Sequence, residues 1–159
     1  KEALFLAAVM VWMEQIEAEC QQAMGNSPEG NPLQRLREFM ITGAEVFLKN
    51  PYSVKMFVVF TQMMIQHPSS LKQYGVVEQS TASFRAAIAS LIDEAVAQEL
   101  LPVAARKQAN EHATNLIAGL DGLQMHALMS EGFLSIRNQI RRYVETYIEG
   151  MRGPSFPTE

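Results

Sequence analysis

Hydrophobic positions recur every three or four residues along most of this chain, the spacing of one face of an α-helix. No stretch alternates with the two-residue period of a strand. The pattern predicts an all-α fold of about six helices in one domain, residues 1–152, with a flexible tail at 153–159. The expected helices are 2–24, 32–49, 52–66, a segment from 69 or 70 to 99 with a break near Gly75, 105–129 and 133–151.

Cap and breaker residues mark several of these helix ends. Asn31 is a good N-cap, and Pro32 suits the first helical position. Asn50 and Pro51 repeat that signal before the third helix. The third helix is apolar on two faces, so we expect it to be enclosed on most sides.

The segment 105–129 is also apolar on two faces. One face carries Ala109, Leu116, Leu120, Leu123 and Ala127. The other carries Ile117, Ala118, Gly122, Met125, Leu128 and Met129. A helix that is apolar on two sides must be covered on two sides. The second cover could be a neighbouring helix or another chain, so this segment is a candidate for both core and interface.

The last helix has a regular seam with spacings of three and four residues. It consists of Phe133, Ile136, Ile140, Tyr143 and Tyr147. Such a seam is typical of helices packed at about 20°.

Methionine and aromatic residues are concentrated on the third helix and its expected neighbours, and the chain has ten Met. Methionine is flexible and suits surfaces that accept varied partners. The cluster indicates either a soft core or a largely apolar ligand cavity between helices. Thr61, His112 and Asn115 are candidates to orient a ligand.

Asp121 lies among apolar residues of segment 105–129. A buried carboxylate without a partner is costly. It is either exposed at a rim, or it pairs across an interface with Arg137 or Arg141 on the last helix.

Charge and composition exclude several functional classes. Hydrophobic residues make up 48%, and the net charge is -4, which argues against disorder and against direct nucleic-acid binding. No apolar run is long enough to span a membrane. The single cysteine, Cys20, fits a reducing compartment, so we expect a cytoplasmic protein.

Motifs for catalysis are absent from the sequence. It has no G-x-S-x-G, no Gly-rich phosphate loop and no H-E-x-x-H. His112 and His126 are about 21 Å apart along one helix, too far to hold one metal. We therefore predict no catalytic residue, no cofactor and no metal site.

Two stretches resemble the tetracycline-repressor (TetR) family of regulators. Lys1-Glu2-Ala3-Leu4-Phe5 is similar to the segment that follows the helix-turn-helix in that family. The pattern L-x-x-x-L-D-G-L-x-x-x-x-L-M from Leu116 to Met129 resembles its eighth helix. The stretch from Leu91-Ile92 to Leu101-Pro102 resembles the end of its seventh helix and the following loop. Taken together, the resemblance spans nearly the whole chain.

This resemblance implies a homodimeric, ligand-responsive repressor. The last two helices would form a four-helix bundle with those of a second chain, and the effector pocket would lie among the earlier helices. The family's three-helix DNA-binding domain is absent here, so operator DNA would be bound only through that missing domain. The expected partners are a second copy of the chain and a small hydrophobic effector, with no membrane.

The site residues follow from these two expectations. We expect effector-binding at Trp12, Ile16, Met40, Phe47, Phe57, Phe60, Thr61, Met64, Phe84, Ile88, His112, Asn115 and Leu116. We expect a dimer interface at Ile117, Asp121, Gly122, Met125, Leu128, Phe133, Ile136, Ile140, Tyr143 and Tyr147. The main alternative is a structural helical dimerisation module without a ligand.

Overall fold

The computed structural model describes residues 2–25, 31–49, 51–66, 76–129 and 133–153. These residues form seven helices and no strand, which confirms the all-α prediction. The helices are α1 (Glu2–Gly25), α2 (Pro32–Lys49), α3 (Pro51–Gln66), α4 (Val76–Ala97), α5 (Val103–Lys107), α6 (Ala109–Met129) and α7 (Phe133–Met151).

The start of α2 and the end of α4 are each fixed by local hydrogen bonds. The Asn31 side chain accepts a hydrogen bond from the Leu33 amide at 2.9 Å, as expected of an N-cap. At the end of α4 the Leu100 amide donates to the Ala95 carbonyl at 2.8 Å. A helix end closed by such a hydrogen bond requires a residue with left-handed backbone angles. Glu99, with a φ of 57°, is that residue.

The helix predicted at 105–129 is divided in two, so the described helices number seven rather than about six. Gln108 leaves the helical region with a φ of -108° and a ψ of 11°. Its amide donates to the Ala105 carbonyl at 3.2 Å, while its own carbonyl accepts from the His112 amide at 2.8 Å. Gln108 thus ends α5 and starts α6. The sequence has no Gly or Pro at this position to indicate the break.

The core forms around α2, which packs against α1, α3, α4 and α7, while α6 packs against α4 and α7. The largest fully buried aliphatic side chains of the core are Leu36, Ile88, Leu91, Ile92, Leu116, Ile140 and Ile148. Each fully buried side chain of this size contributes roughly 1.5–3 kcal/mol relative to an exposed one.

The seam predicted on α7 faces its own chain. Ile136 and Ile140 are 3% and 1% exposed and continue into a buried stripe with Val144 and Ile148. They pack within their own chain and leave little surface for a second chain to cover, and their assignment to a dimer interface stays a prediction. They are buried because α7 packs against α2 as well as α6.

The outer face of α3 is more exposed than its composition predicts. Tyr52 and Ile65 are 75% and 76% exposed, and Val58 and Val59 are exposed as well. The expectation of a helix enclosed on most sides is therefore wrong: α3 packs against α1 and α2, and its opposite face stays open.

Several connections between the predicted helices lie outside the described residues. They are residues 26–30, Asn50, residues 67–75 with the expected break near Gly75, residues 130–132 and the tail from residue 154. Of the helices that the structure describes, none combines the length and the apolar character needed to cross a membrane.

Candidate functional site

A largely apolar cavity of about 490 Å³ lies between α1, α2, α3, α4 and α6. The described residues that line it number eighteen: Trp12, Met13, Ile16, Phe39, Met40, Gly43, Phe47, Phe57, Phe60, Thr61, Thr81, Phe84, Ile117, Leu120, Asp121, Gly122, Gln124 and Met125. The volume is within the range of about 300–1,000 Å³ typical of small-molecule sites.

Aromatic rings build much of the cavity wall. Phe47 packs edge-on against Phe57 with ring centroids 5.2 Å apart, and Trp12 lies 6.3 Å from Phe47. Phe39 and Phe84 form a second pair at 5.4 Å. Such pairs stabilise by about 0.5–1.5 kcal/mol beyond their buried area, so the rings hold one another in place around the cavity.

Trp12 is fixed by a hydrogen bond between helices. Its indole Nε1 donates to the Ser53 hydroxyl at 2.8 Å, and Ser53 is only 2% exposed. This bond joins α1 to α3 at the cavity wall. Since a buried hydroxyl without a partner is costly, the pair sets the position of the indole ring.

Eight predicted effector residues line the cavity together. They are Trp12, Ile16, Met40, Phe47, Phe57, Phe60, Thr61 and Phe84. The Thr61 hydroxyl donates to the Phe57 carbonyl within its own helix at 2.8 Å. This bond uses its proton, but a threonine oxygen can still accept.

Four other predicted effector residues do not line the cavity. Ile88 and Leu116 are 0% exposed and belong to the packed core. His112 Nδ1 instead lies 3.1 Å from the Tyr147 hydroxyl. Asn115 is exposed, and its carbonyl accepts the Tyr143 hydroxyl at 2.8 Å. The side chain of the remaining candidate, Met64, lies outside the part of the chain that is described.

The second face of α6 closes the cavity. Ile117, Asp121, Gly122 and Met125, assigned from sequence to a dimer interface, all line it. Within the same chain this face of α6 borders the cavity that α1, α2, α3 and α4 also line. None of the large hydrophobic side chains exposed in the described residues is on α6 or α7.

The tyrosines of α7 contact α6 of their own chain. Tyr143 and Tyr147 are half-buried, with ring centroids 6.0 Å apart. Gly119 lies directly under Tyr143, so close that a Cβ there would overlap the phenol. The predicted contact of these tyrosines with a second chain stays a prediction. The side chains of Leu128 and Phe133 fall outside the described set.

Asp121 is the ionisable group of the cavity wall. Its side chain is accessible, yet protein atoms crowd around it, and this desolvation raises the pKa of the carboxyl to about 6. Within this chain the Nε of Arg137 lies 3.2 Å from a Glu45 carboxylate oxygen, and the pairing of Asp121 with Arg137 or Arg141 across an interface stays a prediction. In the part of the chain that is described, no ion pair or hydrogen bond reaches the Asp121 side chain.

Six further lining residues belong to neither the predicted pocket nor the predicted interface: Met13, Phe39, Gly43, Thr81, Leu120 and Gln124. Phe39 and Gly43 share the apolar stripe of α2 with Met40 and Phe47, so that stripe was an available signal. Gln124 is 5% exposed although it is polar. A polar residue between Leu123 and Met125 on the two-faced helix was a second signal.

Comparisons of this chain with family models, curated proteins and solved structures found no match. Among the residues described, no three His, Cys, Asp or Glu side chains are grouped so that they could hold a metal ion. The chemistry of the cavity is therefore the basis for assigning a function.

Proposed function

We propose that this chain is the ligand-sensing and dimerisation domain of a TetR-like transcriptional regulator, acting as a repressor. The observation that carries the proposal is the cavity of about 490 Å³, which has six aromatic side chains in its wall. An apolar cavity with a few polar groups is the usual form of a small-molecule site. The proposed effector is small and largely hydrophobic.

A ligand in the cavity would contact the first helix directly. Trp12, Met13 and Ile16 of α1 are all in its wall. The resemblance of the KEALF stretch implies a DNA-binding domain ahead of α1. A ligand that favours one position of α1 over another would shift the population of dimer states. Operator DNA would be released when the two recognition helices no longer match the spacing of their half-sites.

Dimerisation through α6 and α7 rests on the resemblance of the Leu116 to Met129 stretch. Ala118 is exposed on α6 and lies outside the cavity wall. Small residues allow a second helix to approach closely. Ala118→Arg should convert the dimer to a monomer in sedimentation velocity, whereas Ala104→Arg, at an exposed site on α5, should not. A protein that is monomeric before mutation contradicts this part of the proposal.

Ligand binding can be tested with the single tryptophan as a built-in reporter, since Trp12 lines the cavity. We expect hydrophobic effectors to change its fluorescence with saturation. A ligand at 100 times its Kd stabilises the fold by about 2.7 kcal/mol. At about 2–4 °C per kcal/mol for a domain of this size, Tm should rise by about 5–11 °C.

Two glycine substitutions give a matched control. Gly122 is in the cavity wall and Gly150 is on α7 away from it, and a Cβ at either meets no atom within 4 Å. Gly122→Phe should weaken binding at least tenfold, and Gly150→Phe should leave it unchanged. If no hydrophobic compound changes Tm or fluorescence, the alternative of a structural dimerisation module without a ligand is favoured.

A further inference from the structure

We propose that the ligand of this cavity is a hydrophobic monocation and that the Asp121 carboxylate is its counterion. This inference rests on the proposed function, because it requires that the cavity bind a small molecule. The inference concerns the charge of the ligand, because the volume and the apolar character of the cavity do not determine that charge.

The charge inventory of the wall is one-sided. Among the lining residues that the structure describes, Asp121 alone is ionisable, and these residues include no Lys, Arg or His. No described side chain supplies it with a cation or a hydrogen bond. Protein atoms that crowd around an accessible carboxylate remove part of its hydration, which has a cost. A bound cation would offset that cost.

Desolvation raises the pKa of the Asp121 carboxyl to about 6. The group is therefore still mostly ionised at pH 7.5, so it can act as an anion there. A negative charge in a poorly solvated wall attracts a cation more strongly than one in bulk water. The same charge disfavours fatty acids, aromatic acids and other anionic ligands.

The aromatic rings favour the same class of ligand. Trp12, Phe47, Phe57 and Phe60 present π faces or edges within one cavity, and Phe39 and Phe84 add two more rings. The face of an aromatic ring attracts an alkylammonium group. The rest of the wall takes the hydrophobic body, and Gln124 and Thr61 are neutral polar residues of the same wall.

Three ligands with one hydrophobic body separate charge from apolar contact. The probes are 4-phenylbutylamine, which is a cation at pH 7.5, 4-phenylbutan-1-ol, which is neutral, and 4-phenylbutanoate, which is an anion. Trp12 fluorescence and calorimetry would give the Kd of each for the wild-type chain and for Asp121→Asn. Glu111→Gln is the matched control, since Glu111 is exposed on the same helix and lies outside the cavity wall.

We expect the amine to bind the wild type at least about tenfold more tightly than the alcohol, a difference of about 1.4 kcal/mol. The amide variant should lose this preference and keep its affinity for the alcohol, whereas Glu111→Gln should behave as the wild type. Equal binding of the three probes, tighter binding of the acid, or an amine preference that survives in Asp121→Asn overturns the cation assignment and leaves the binding function standing. Absence of binding by all three probes to the folded protein overturns the proposed function and this inference with it.

Discussion

The two central glycines of α6 should respond in opposite ways to the same substitution. In a helix interior, alanine is more favourable than glycine by about 0.8–1 kcal/mol. At Gly122 a Cβ meets no atom within 4 Å. Gly122→Ala should therefore gain this amount, which raises Tm by about 2–4 °C.

At Gly119 the same gain is opposed by a clash. A Cβ there overlaps the hydroxyl and ring of Tyr143, so the phenol must move away. Moving it breaks the 2.8 Å hydrogen bond to the Asn115 carbonyl, a loss of about 1 kcal/mol. It also disturbs the ring contact with Tyr147, a loss of about 0.5–1.5 kcal/mol. Gly119→Ala should then lie about 2 kcal/mol below Gly122→Ala, a gap of about 4–8 °C.

Thermal and urea denaturation followed by circular dichroism would measure this gap. The same substitution in a Tyr143→Leu variant shows whether the clash is the cause, because this variant lacks the ring that the alanine methyl group meets. In that variant Gly119→Ala should become stabilising. If Gly119→Ala stabilises the wild type as much as Gly122→Ala does, the packing of α7 on α6 described here is refuted.

Three further predictions concern a turn, a hydrogen bond and a titration. Glu99 has a left-handed φ of 57°, which glycine adopts without strain. Glu99→Gly should therefore raise the free energy of unfolding, measured with urea, by about 1 kcal/mol. Gln98→Gly should not, and an equal gain in both variants would contradict the strain at Glu99. Trp12→Phe and Ser53→Ala should show a coupling of about 1 kcal/mol in a double-mutant cycle, because the 2.8 Å bond between them is lost in either variant; additive effects would argue against it. Asp121 has a folded pKa of about 6 against a reference of 3.8, so the folded state holds its proton more tightly and loses stability as pH rises across that interval. Asp121→Asn should therefore match the wild type in Tm at pH 3.5 and exceed it at pH 7.5, and a difference that does not change with pH would contradict the assignment.

The sequence predicts the helices well where a cap and an apolar stripe agree. Helix α2 begins at Pro32 after the Asn31 cap and ends at Lys49, as expected. The break at Gln108 could not be predicted in this way. It depends on two backbone hydrogen bonds, and local residue preferences carry no signal for it.

The site was predictable in part because aromatic and methionine residues cluster on α1, α2 and α3. Helical periodicity places a residue around its own axis, but it does not say which neighbour that face meets. Periodicity therefore predicts a second chain as the cover of the second face of α6, and the structure shows that Ile117 and Met125 on this face line the cavity of their own chain. His112 was assigned to the pocket for the same reason, and the rotation of α6 against α7 sets it beside Tyr147.

The most direct test of the binding cavity uses its methionine methyl groups. Met13, Met40 and Met125 line the cavity, whereas Met10 is 41% exposed and Met151 is 7% exposed, and neither of these two lines it. In a chain labelled with ¹³C at the methionine methyl groups, resonances can be assigned by single Met→Leu variants and followed during a titration with 4-phenylbutylamine. We expect saturable shifts of the methyl resonances of Met13, Met40 and Met125, and no shifts for Met10 and Met151. Unchanged resonances at all three lining methionines, or equal shifts at Met10 and Met151, would contradict this expectation.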